Sequence, residues 1–300
     1  GMKPASITSI LMNALDDENI EIQRRAVELL GILGHKDAES KLIQKLSSSV
    51  SAIVFKAAEA LGKMKSEKAL KPLMSLLQNR ELMRQIISEH CDFEIGASKY
   101  STVGASVVIA LGSIGDKAAI PVLMEYLDYL INLKSPNALS LLISTIRALG
   151  WIGDEQVTHR LAQYLLDISP PAEIDSYDWR FTPIRPVVRA LANIGSPVAV
   201  PYLAKLVDYP YFIGEETIGA LGRLGPDAIP VLKQVLAQSE SPHKRWRAAK
   251  VLSEIGHPDV LESLTNALKD DEPQVRYHVA RALGELGNQN AIPFLKGALQ

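Results

Sequence analysis

The 300-residue chain has a single cysteine, Cys91, so no internal disulfide can form. Aromatic residues make up only 6% of it, and neither sign of charge prevails: 32 basic side chains stand against 34 acidic ones, a net charge of −2. The balance holds along the chain, with 17 basic and 16 acidic residues through Gly150 and 15 and 18 after it. Without a global basic field, affinity driven by nucleic-acid phosphates is disfavoured. Apolar runs long enough to span a bilayer are missing, as is a secretory signal pattern, so the expectation is a cytoplasmic protein without membrane contact. The six histidines, His35, His90, His159, His243, His257 and His278, lack metal-ligand spacing. No G-x-S-x-G elbow, G-x-G-x-x-G fingerprint or P-loop occurs. These absences argue against the commoner hydrolase and nucleotide-dependent chemistries and lead to the expectation of no catalytic residue, metal or cofactor.

What the chain does have is periodicity. ALGSIG at Ala110, ALGWIG at Ala148, ALGRLG at Ala220 and ALGELG at Ala282 are the sharpest of eight phased copies. Weaker copies are LLGILG at Leu29, ALGKMK at Ala60, ALANIG at Ala190 and VLSEIG at Val251. Taking the first glycine or its substitute as a marker gives Gly31, Gly62, Gly112, Gly150, Ala192, Gly222, Ser253 and Gly284, separated by 31, 50, 38, 42, 30, 31 and 31 residues. A base period near 31 with three insertions predicts a solenoid of helix pairs. In the last full unit, residues 260–268 and 275–286 carry apolar residues at helical spacing around a turn at 270–273. Small residues such as Ala280 and Gly284 are expected to let neighbouring helices approach closely, and prolines at 72, 121, 201, 230 and 293 mark first turns of helices.

The phased pattern, with DDEPQVRYHVARALGELG as its fullest copy, resembles the HEAT-repeat family, in its short bacterial form known as PBS lyase HEAT-like repeats. The resemblance covers nearly the whole chain. It implies an all-α, right-handed α-α superhelix: a single solenoid over residues 2–300 with eight helix pairs, a terminal lone helix at 291–299, and second helices lining a concave side. It further implies an Asp and Arg that brace successive repeats, here Asp270 with Arg276, and Arg245 in the preceding unit. Deoxyhypusine hydroxylase, a family member with iron-binding His-Glu pairs, is not supported, because the matching positions read RR, FK, AS, IS, RP, EE, WR and YH.

Counting back seven, six and three positions from each marker defines a stripe expected to face the groove. Towards the C-terminus it presents Arg147, then Arg185 and Arg189, Glu215 and Glu216, Trp246 and Arg247, and Tyr277 and Arg281. Trp, Tyr and Arg are the residue types most often found as binding hot spots. The insertions, at about 79–103, 130–136 and 168–182, are expected to gather on one edge. The first contains ELMRQIISEHCDF, read as an extra short helix, and the second is read as lengthening two helices. The third adds Tyr177, Trp179 and Arg180 as candidate contacts.

Together these residues point to a non-enzymatic scaffold, a monomer that holds a protein or peptide partner with acidic groups. The alternative suggested by the resemblance is a bilin lyase or isomerase-like subunit, or a chaperone-like binder of tetrapyrrole proteins. A helical-repeat nucleic-acid-binding protein ranks third, because Glu215 and Glu216 interrupt the basic stripe.

Overall fold

A computed structural model describes residues 4–87, 101–168, 181–207, 209 and 212–297. The chain forms two compact units, Gly1–Gly153 and Asp154–Gln300. Among the described residues each contains four helix pairs, in which a first helix packs on the second helix that follows it. In the first unit the pairs are α1 (Pro4–Ala14) with α2 (Ile20–Leu33), α3 (Glu39–Lys45) with α4 (Ser51–Lys63), α5 (Leu70–Leu76) with α7 (Val103–Ile114), and α8 (Ile120–Leu133) with α9 (Leu139–Ile152). The short α6 (Arg80–Arg84) lies between α5 and α7. The second unit pairs α10 (Glu155–Ile168) with α11 (Ile184–Ile194), α12 (Val200–Ala204) with α13 (Phe212–Arg223), α14 (Ile229–Gln238) with α15 (Pro242–Ile255), and α16 (Leu261–Ala267) with α17 (Pro273–Leu286). A lone α18 (Ile292–Gly297) follows. This is the all-α helical-repeat solenoid that the periodicity predicts.

Second helices stack on one another within each unit: α2 on α4, α4 on α7 and α7 on α9, then α11 on α13, α13 on α15 and α15 on α17. The G-x-x-G step explains how. Its first glycine faces the small residue two positions before the next marker. A Cβ added to Gly62 would lie 2.8 Å from the Ala110 Cα, and one on Gly112 would lie 2.8 Å from the Ala148 Cα. Backbones therefore touch where no side chain fits. Gly284 departs from the expected packing role, since a Cβ there would meet nothing within 4 Å. It belongs to α17, on which no further second helix stacks among the described residues.

The second glycine has a different task that the sequence reading did not separate from the first. Gly34, Gly115, Gly195, Gly256 and Gly287 end their helices with φ between 65° and 78°. That left-handed conformation closes a helix C-terminus cheaply only for a residue without Cβ. In the second repeat the position is Lys65, held at φ 49°.

The first insertion forms less helix than expected. Asn79 caps α6 by accepting from the Leu82 N–H, but the helix ends at Arg84. Ile86–Ile87 then pairs antiparallel with Ser101–Thr102, so a two-residue β-bridge closes the base of the insertion. Arg80 fixes α6 to α8: its guanidinium lies 4.6 and 4.7 Å from the ring centroids of Tyr126 and Tyr129, and its Nη2 reaches Glu125 at 3.0 Å. The second insertion lengthens one helix rather than two: α8 has 14 residues against 7 in α3, α5 and α16, while α9, at 14, matches α2, α15 and α17. Among the described residues, no helix is long and apolar enough to cross a membrane.

The expected Asp–Arg brace is present with different partners. Asp270 binds Arg245 of the preceding repeat through both carboxylate oxygens, each at 2.8 Å, with both side chains largely buried. Arg276 instead donates to the backbone carbonyls of Asp270 and Asp271 and fastens the turn. The hydrogen bonds from Arg245 hold the Asp270 carboxyl below the usual carboxylate range, against the opposing effect of burial.

Candidate functional site

α11 is strongly two-faced: Val187, Val188 and Leu191 are buried, while Arg185 and Arg189, one turn apart, point outward. Because α13 stacks on α11, Glu216 is carried between the two arginines, and each donates its Nε–H to one oxygen of the Glu216 carboxylate. Burial alone would raise that carboxyl, but the bonds from Arg189 and Arg185 outweigh it and hold it below its ordinary value.

The neighbouring Glu215 faces the other way, towards α15. One of its oxygens accepts from Arg247 Nη1 at 3.2 Å, and the other lies 3.1 Å from His243 Nε2. His243 Nδ1 accepts from the Trp246 indole N–H at 3.3 Å, which leaves the ring proton on Nε2, facing Glu215. Trp246 stacks on His278 of α17 with ring centroids 4.3 Å apart, and Tyr277 meets His278 edge-on at 5.2 Å. The half-buried indole thus anchors a ladder of rings running outward to Tyr277, which is 65% exposed.

The two arginines of α11, Glu215, Glu216 and Arg247 line one open pocket of about 340 Å³. Gly219 and Ala220 contribute to its lining, and Arg223, the last residue of α13, also borders it. The stripe expected from the sequence therefore converges in part. Trp246 joins through His243, and Tyr277 through His278. Arg281 is instead engaged by Glu285 on its own helix at 2.8 Å. Arg147 belongs to the first unit, where its guanidinium lies 5.4 Å from the centroid of the half-exposed Trp151. Tyr177, Trp179 and Arg180 lie outside the described residues.

Two stripe positions in the first unit do not face the groove: Phe55 on α4 and Ala105 on α7 are buried, on second helices that pack against each other. Two contributors fall outside the counted stripe. His243, three residues before Trp246 on the same helix, lies within reach of its ring, whereas His278 stands at a counted position, six before Gly284. Arg223 follows the marker directly and so falls outside the counted positions. Among the described residues, no group of three or more His, Cys, Asp or Glu side chains is placed to hold a metal ion.

The family of helical-repeat proteins so outlined is shown directly by sequence comparison. The HEAT repeats family matches residues 8–89 and 229–300, just over half of the chain, and the PBS lyase HEAT-like repeat matches residues 103–129 and 187–209. The chain belongs to the HEAT-repeat family. No curated protein matches its sequence significantly. Among solved structures it is similar to importin beta, with a TM-score of 0.65 and 13% identity over 98% of this chain but 42% of importin beta. That likeness is one of fold. It is also matched by the CpcE–CpcF complex of phycocyanin lyase from Nostoc sp. PCC7120, with a TM-score of 0.46 and 21% identity over 87% of this chain and 94% of that one. Human deoxyhypusine hydroxylase in complex with glycerol matches with a TM-score of 0.37 and 22% identity over 94% of this chain and 96% of that one.

Proposed function

We propose that this HEAT-repeat protein is a non-catalytic scaffold whose second unit receives a protein or peptide partner along α11, α13, α15 and α17. The observation that carries this reading is the ring ladder of His243, Trp246, His278 and Tyr277 beside the arginine-bordered pocket. A half-exposed indole fixed by a hydrogen bond and a stacked ring loses little freedom on binding, which favours it as an anchor. Arg147 on the first unit and the insertion residues Tyr177, Trp179 and Arg180 are proposed as further contacts with the partner.

The test is capture from the native lysate with the purified protein as bait, compared with a Trp246→Ala, Arg247→Ala double variant. Loss of a hot-spot aromatic costs about 2 kcal/mol or more of binding free energy, so the variant should retain only a small fraction of the partner. Equal capture by both proteins would remove the groove from consideration.

A second reading, a bilin lyase-like or tetrapyrrole-protein-binding subunit, is favoured by the PBS lyase HEAT-like match over residues 187–209, which includes Arg189. Its test is incubation with a bilin and a candidate acceptor protein. A shifted absorbance band or a covalent adduct would support it, and an unchanged spectrum would count against it.

A further inference from the structure

The pocket between α11, α13 and α15 contains a gap where its neighbours in the stripe carry long side chains. The position three before the marker is Arg189 on α11 and Lys250 on α15, but Gly219 on α13. No packing demand explains this glycine: a Cβ built there would meet nothing within 4 Å. Within a helix a glycine costs about 1 kcal/mol relative to alanine, so at Gly219 stability is given up without a close helix approach in return. The same residue lines the pocket, and any larger side chain would project into it.

Charge completes the description. Four guanidiniums, those of Arg185, Arg189, Arg223 and Arg247, border this pocket with only two carboxylates, Glu215 and Glu216. Glu216 is shared by the first two arginines and Glu215 by Arg247 and His243. Arg223 is exposed and has no ion-pair partner among the described residues. The pocket therefore has an excess of cation over anion, with an unused guanidinium on its border.

We infer that the gap over Gly219 is the seat for an acidic peptide segment, whose carboxylate is received by Arg223 while Arg189 and Arg247 exchange part of their bonding from Glu216 and Glu215 to the ligand. This rests on the groove reading and adds to it the partner's chemistry and the residue that recognises it. The two glutamates hold the guanidiniums of Arg185, Arg189 and Arg247 in place, which limits the ordering cost of binding. They also make binding an exchange of one carboxylate for another, so affinity is moderate and salt-dependent.

The experiment uses fluorescein-labelled hexaglutamate as probe, with fluorescence anisotropy at low salt. Wild-type protein should bind it, and hexalysine should not compete. Gly219→Leu fills the gap while improving helix propensity, so it should fold normally and still lose at least about tenfold in affinity. Arg223→Ala should lose about tenfold, with Arg223→Lys regaining part of it, in line with one charge-assisted bond. Glu216→Gln removes the carboxylate charge that Arg185 and Arg189 share and should tighten binding several-fold, whereas a purely structural role for Glu216 would give weaker binding or none. Unchanged affinity in Gly219→Leu overturns the proposal, as does failure of the wild type to bind the probe. Arg223-dependent binding of inorganic phosphate without binding of hexaglutamate would overturn the peptide assignment as well. If lysate capture depends on Trp246 while hexaglutamate ignores Gly219 and Arg223, the groove stands and this inference alone falls.

Discussion

At the scale of single residues, the repeat assigns separate tasks to two glycines three positions apart, and Lys65 is the exception that exposes the second task. Its backbone sits at φ 49°, a conformation that costs a residue bearing Cβ about 1–2 kcal/mol, and its side chain is exposed. Lys65→Gly is therefore expected to stabilise the first unit by about 1 kcal/mol, seen as a higher midpoint in chemical denaturation. The sequence made the positions of both glycines visible through their phase. It did not separate helix contact from helix termination, because both tasks select the same residue and only backbone geometry tells them apart. Partner choice in the Asp270 brace escaped for a related reason: Arg245 and Arg276 occupy equivalent positions one repeat apart, and which of them faces the carboxylate is decided by stacking.

At the scale of helices, contact through the first glycine predicts opposite outcomes for the same substitution. Gly112→Ala would place a Cβ 2.8 Å from the Ala148 Cα and 2.8 Å from Trp151 Cε3, so α7 and α9 must separate. Destabilisation of about 1–3 kcal/mol is expected, as for other overpacked cores. Gly284→Ala meets open space and should stabilise α17 by up to about 1 kcal/mol. Thermal denaturation of the two variants side by side checks both signs. The helices themselves were legible from apolar spacing and turn residues. The insertion at 79–103 was less so: ELMRQIISEHCDF has helical composition, yet Gln85 is extended and Ile86–Ile87 pairs with Ser101–Thr102, a partner distant in sequence. The groove was half legible, since the counted stripe found Arg185, Arg189, Glu216 and Trp246 but could not say that arginine and glutamate would consume each other's charge.

At the scale of the whole molecule, ion pairs leave a signature in acid. Lys41 and Lys45 lower the Asp16 carboxyl, Arg24 lowers Glu21, Lys68 and Ser66 lower Glu39, and the arginine partners described above lower Glu216 and Asp270. A carboxylate whose folded pKa lies below its unfolded value, about 4, contributes stability that is complete above that value and vanishes as pH falls through the folded one. The melting temperature should hence be flat near neutrality and decline as pH drops from about 5 towards 3. Arg245→Met should begin lower at pH 7 and decline less steeply, because Asp270 then keeps the hydrogen bond from the Glu272 N–H but has lost both guanidinium bonds. An identical slope in the variant would assign the acid sensitivity to the other pairs.

The backbone contacts of Gly62 with Ala110 and of Gly112 with Ala148 act as a ruler that admits no slippage along these helices. Change in chain length is thereby diverted to the connections between helix partners, where the first unit already carries its extra segment after α5 and its lengthened α8. A foreign sequence spliced into the turn between α8 and α9 should consequently leave the helix stack intact, whereas one residue added within α7 ahead of Ala110 would set Ala110 and Gly112 out of step with the rest of that helix's buried face.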